Sequence, residues 1–154
     1  SEEEKKIQAT YQGAKALVAS WFEVHFDKIG LINEHITGIE KEIISKNEML
    51  GQIKVHLAGI VATKDSYGES FSNAKNDLDA IKAKIDSMLK NYGMSSTYGY
   101  NHAKEQLQII TECEEEIKTL LIKLKPLHEQ IVAHLLEHEF ISEKTVREMQ
   151  HEIL

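Results

Sequence analysis

From Ile29 to Ile60 the apolar residues recur at alternating three- and four-residue steps: Ile29, Ile32, Ile36, Ile39, Ile43, Leu50, Ile53, Leu57 and Ile60, with only Lys46 breaking the series. A strict heptad run of this length is the pattern of coiled-coil-like helix packing. Met49 and Val61 widen the stripe, which suits a three- or four-helix bundle better than a two-stranded zipper. Ile at both core positions also disfavours a simple parallel dimer.

The rest of the chain keeps the helical period. Ser1 and Glu4 form a capping box, so a helix can start at the first residues. The three-four spacing then runs through Val18, Phe22, His25 and Ile29, which predicts one long or kinked N-terminal helix to about residue 63, with Gly30 as its weak point. Turn-rich connectors near 64–73 and 92–101 bracket a shorter middle helix. Asn73 and Asn101 are candidate N-caps. A long helix follows, kinked by the single proline, Pro126, and Ser142 starts a short last helix. The expectation is one all-α domain over 1–154, an elongated antiparallel helical bundle with coiled-coil character.

Composition narrows the function classes. A net charge of −7 repels phosphates and anionic headgroups, so nucleic acid is not an expected partner and membrane contact is not favoured. A single cysteine, Cys113, allows no internal disulfide. It projects into an apolar stripe with no histidine three or four residues away, which predicts a buried thiol. No leader-like segment opens the sequence, which reads as cytoplasmic by default, with secretion without a cleaved signal left open.

The candidate sites are three. Polar-aromatic connectors carry Tyr67, Phe71, Tyr92, Tyr98 and Tyr100 among Ser, Gly and Thr, the residue chemistry of recognition loops; the same rings would equally cover the open ends of a bundle. The stretch His134-Leu-Leu-Glu-His138 has the inverted zinc-motif form H-x-x-E-H. Glu137, however, projects away from the face shared by the two histidines, which argues against a protease reading. A metal reading survives if the last helix folds back and brings Glu148 and His151 to His134 and His138, a set able to hold zinc. His35 and His56, in flanking heptad positions, are candidates for a pH-sensitive contact.

No nucleophile elbow, phosphate loop or calcium loop occurs. The leading expectation is a non-enzymatic interaction or assembly module, binding proteins or itself and needing no cofactor. A membrane-acting amphipathic protein stands second, and a metal-binding bundle third.

Overall fold

A computed structural model describes residues 1–154. It is mostly helical, as the periodicity predicts, with a small sheet the periodicity did not predict. Helix α1 spans Glu2–Trp21, opened by the Ser1–Glu4 capping box. Strands β1 (His25–Gly30) and β2 (Glu34–Gly38) form a hairpin, and α2 covers Lys46–Tyr67. Then come α3 (Lys75–Asp86), a π-helical turn over Ser87–Asn91, α4 (His102–Lys123), α5 (Lys125–His138), β3 (Phe140–Ser142) and α6 (Glu143–Ile153). The sheet order is β2-β1-β3, with both pairings antiparallel, so β2 is an edge.

The long N-terminal helix is therefore corrected: the chain leaves α1 at Trp21, and residues 25–30 and 34–38 are strands joined by a turn. Glu23 takes the left-handed conformation (φ 57°) and turns the chain out of the helix. Steps of three and four residues do not separate a helix from a hairpin whose turn falls inside the run. Phe26 faces Ile36 across the ladder, while Ile32 and Ile43 are exposed in the connections. The β-branched Ile29, Ile36 and Thr37 favour the pleated strand. The heptad pattern holds only from residue 46, where the Ser45–Glu48 capping box starts α2 and buries Met49, Ile53, Leu57 and Val61.

Two further expectations change at helix boundaries. Pro126 does not kink one helix but sits in the first turn of a new one, after Leu124 has closed α4. Asn73 and Asn101 make no capping bond; Asn73 instead donates to Gln8 at 2.7 Å.

Helix α1 is the centre of the molecule. Every residue from Ala9 to Ser20 is buried, so it is enclosed on all sides, not amphipathic. Its small residues let α2 approach closely. A Cβ at Gly59 of α2 would stand 2.6 Å from Cγ of Tyr11, so only glycine leaves room for that ring. One apolar cluster links Leu17 and Val18 to Ile53, Ile85, Ile117, Ile131, Ile141 and Val146. Such burial contributes about 1.5–3 kcal/mol for each large side chain. Against this background two of the four buried polar residues of α1, Gln12 and Lys15, carry long side chains whose polar ends require partners.

Candidate functional site

Those partners are two carboxylates, Glu34 for both residues and Asp77 for Lys15, and Asp77 draws two further groups to itself. Asp77, in the first turn of α3, accepts from the Tyr11 hydroxyl, from Lys15 Nζ (2.9 Å to Oδ1) and from His56 Nδ1 (2.8 Å). Lys15 Nζ also contacts Glu34 Oε1 of β2 at 2.7 Å. Gln12 Nε2 donates to the same Glu34 oxygen at 3.0 Å and to Gly30 O at 2.8 Å. Lys15 is only 2% exposed. One ammonium thus stands between a buried carboxylate, Asp77, and a partly exposed one, Glu34, and for the buried pair hydrogen bonding must offset a desolvation cost of several kcal/mol per ion.

The electrostatics follow from the geometry. Burial alone would raise the Asp77 carboxyl, but the His56 hydrogen bond, the Lys15 ammonium and the Tyr11 hydroxyl outweigh it and hold it below the usual range. The carboxylate is then an acceptor only, which places a proton on His56 Nδ1. Burial, reinforced by the Asp77 hydrogen bond and charge, pushes the Tyr11 phenol up, so it stays a neutral donor.

His56 also lines a cleft of about 500 Å³. One wall is β2, residues 34–38; the other is Gln52 and His56 of α2 with Lys84 of α3. The cleft therefore joins a sheet edge to the Asp77 centre, with Glu34 and His56 belonging to both.

The tyrosine connectors are laid out differently from a bundle cap. Tyr98 and Tyr100 are almost fully exposed, 87% and 90%, so they cover no core. Tyr67 and Phe71 pack edge to face, 5.7 Å between centroids, and Tyr92 is exposed. The structure does not gather these five rings at the cleft.

The terminal metal set is not assembled. The His134 and His138 rings meet at a tilt with centroids 4.5 Å apart, and burial together with the neighbouring His138 holds the His134 imidazole below its ordinary range. Glu148 and His151 do not join them. Helix α6 docks on the end of α1 instead, where Ser20 donates to Gln150 at 2.7 Å and His151 lines a hollow with Trp21 and Glu23. No group of three or more His, Cys, Asp or Glu side chains in the chain has metal-holding geometry. His35 stands 3.7 Å from Asp27 on the exposed face of the hairpin, and His25 pairs with Glu143 at 2.7 Å. Cys113 is buried as expected, and burial pushes its thiol up to about 11.

Comparison with known proteins decides the family. The model of peptidase family M41 matches residues 1–108, which include α1, the hairpin, α2 and α3. The chain belongs to peptidase family M41. The ATP-dependent zinc metalloprotease FtsH 1 of Salinibacter ruber is 23% identical over 92% of this chain and 26% of its own length. FtsH of Clostridium perfringens is 26% identical over 92% of the chain and 25% of its length, and FtsH of Burkholderia pseudomallei 24% over 96% and 28%. The chain spans about a quarter of the length of these relatives. Membership of a peptidase family overturns the expectation of a non-enzymatic assembly module. No helix of the chain is long and apolar enough to cross a membrane.

The relatives are named for zinc, and a helix holds catalytic zinc through H-E-x-x-H, two imidazoles at i and i+4 with a glutamate between them as base. This M41 domain contains no H-E-x-x-H. Its buried polar residues at that spacing on α1 are Tyr11, Gln12 and Lys15. An ammonium offers three donors and no lone pair, and an amide and a neutral phenol are poor zinc ligands. These residues do not fit zinc. The cluster itself escaped sequence reading because Tyr11 counted as one more apolar position and His56 as a heptad flank. The available signal was a lysine inside the apolar run Ala14–Phe22.

Proposed function

We propose that this chain is the polypeptide-handling domain of a longer, ATP-dependent protease of the M41 type, and that an extended segment of a protein substrate adds to β2. The observation that carries this reading is the position of β2: a sheet edge forming one wall of a cleft whose opposite wall holds His56. An edge strand offers unpaired N–H and C=O groups at fixed spacing, which recognise any extended backbone while the cleft selects side chains. Ile36 and Val55 give the cleft apolar contact, and Glu34, His35 and Lys84 give it polar contact.

The chain's own groups define what a bound segment meets. With Nδ1 engaged on Asp77, the His56 imidazole has Nε2 left to hydrogen-bond a backbone group of the bound segment. Glu34 couples β2 to Lys15, so a segment on the edge lies against the strand that closes the ionic cluster.

The test is binding of fluorescent unfolded casein to the full chain and to Thr37→Pro. Thr37 is exposed and unmatched in the ladder with β1, so proline there removes an edge donor and spares the registered pairs. The proposal expects micromolar binding by the native chain and at least a roughly tenfold loss in the variant, with the melting temperature kept. Equal binding by the two proteins, or none tighter than about millimolar, would sink it.

A further inference from the structure

The relatives are named as zinc metalloproteases, and this chain has none of the H-E-x-x-H motif that would hold the metal. We infer that the Lys15 ammonium is a built-in cation standing where a metal would, so that this domain is rigid without zinc, and that positions 11, 12 and 15 with Asp77 form a latent zinc site. The inference rests on the ionic cluster alone and not on polypeptide binding at β2.

Three observations carry it. Tyr11, Gln12 and Lys15 repeat the i, i+1, i+4 spacing of the zinc motif on one helix, at its most enclosed part. Lys15 Nζ bridges Glu34 at 2.7 Å and Asp77 at 2.9 Å, drawing acidic groups from β2 and α3 onto a point charge on α1. The space is fitted to the present residues: Gly59 admits the Tyr11 ring, whose hydroxyl completes Asp77, and Gln12 spans Gly30 and Glu34. A lysine, unlike a metal, cannot be removed by a chelator or exchanged for another ion.

Zinc titration of the native chain by calorimetry, with melting in zinc and in EDTA, is the first arm. Binding no tighter than about millimolar, and a melting temperature indifferent to both additions, is the expected result. The second arm is the triple variant Tyr11→His, Gln12→Glu, Lys15→His. It is expected to bind zinc at micromolar Kd or better, a gain of at least about 1000-fold, and to melt higher in zinc than in EDTA. Adding Asp77→Ala should cost it more than the roughly 10–100-fold lost with an outer-shell partner. Stoichiometric micromolar zinc in the native chain overturns the inference. So does a triple variant that fails to fold in zinc, or folds without binding it.

Discussion

Asp77 and Glu105 are both carboxylates in the first turn of a helix, and hydrogen bonds hold both below the usual range, yet they are built in opposite ways. Glu105 is held by its own neighbourhood: the Ser95 hydroxyl, the Ser96 amide at 2.8 Å and the Thr97 hydroxyl at 3.1 Å, all in the connector just before α4. These neutral donors, Ser95 and Ser96 foremost, bring its carboxyl down to about 2. Asp77 draws on α1 and α2, from residues 62, 66 and 21 positions away, and one of its partners is a buried charge. The first arrangement shapes a loop. The second ties three helices together through a centre that also touches the β2 edge. A local cradle can open while the core stands; a cluster of long-range ionic contacts opens only with the fold.

Substitutions should separate the two centres, the largest effect coming first. Lys15→Met leaves Asp77 and Glu34 facing one another without their cation. Urea unfolding should show a loss of about 3–5 kcal/mol, the cost of stranding a buried charge. A loss below about 1 kcal/mol would mean that water reaches the cluster. Gly59→Ala drives a methyl into the Tyr11 ring and should cost about 1–3 kcal/mol by overpacking, with the Asp77 partners displaced.

Alkali should unlock the buried side as well. The Tyr11 phenol and the Cys113 thiol both have pKa values raised by burial, so the unfolded chain releases these protons first. Their contribution is whole below about pH 9 and is lost as pH rises, with a slope near 1.4 kcal/mol per pH unit for Cys113 up to about 11. Flat stability from pH 9 to 11 would contradict the burial of that thiol. The smallest effect belongs to Glu105→Gln. Hydrogen exchange should quicken at the amides of Ser96 and Gly99, with a smaller fall in the global unfolding midpoint than Lys15→Met gives; an equal fall would make Glu105 part of the core. Acid should act in the same sense, since the low Glu105 value means its support is present above its ordinary pKa and fades as pH falls towards about 2.

The contrast also explains what sequence could disclose. Capping at Ser1, the start of α6 at Ser142, the buried Cys113 and the connector over 92–101 depend on neighbours a few residues apart, and the residues announce them. The hairpin was hidden because its two strands and turn reproduce the three-four spacing of a helix. The ionic centre was hidden for a different reason. Tyr11, Lys15, Glu34, His56 and Asp77 are unremarkable one by one, and only the packing of α1 against α2 and α3 gives them a common point. The terminal histidines showed the reverse failure: a suggestive local pattern whose distant partners, Glu148 and His151, go elsewhere.

A double-mutant cycle across Lys15 and Asp77, with Lys15→Met, Asp77→Asn and both together followed by urea unfolding, tests the buried pair most directly. If the ammonium is the site's own cation, removing the second partner restores much of what removing the first destroyed, and the coupling is at least about 2 kcal/mol. Additive losses, with coupling within about 0.5 kcal/mol of zero, would contradict it and leave Lys15 as an ordinary buried side chain.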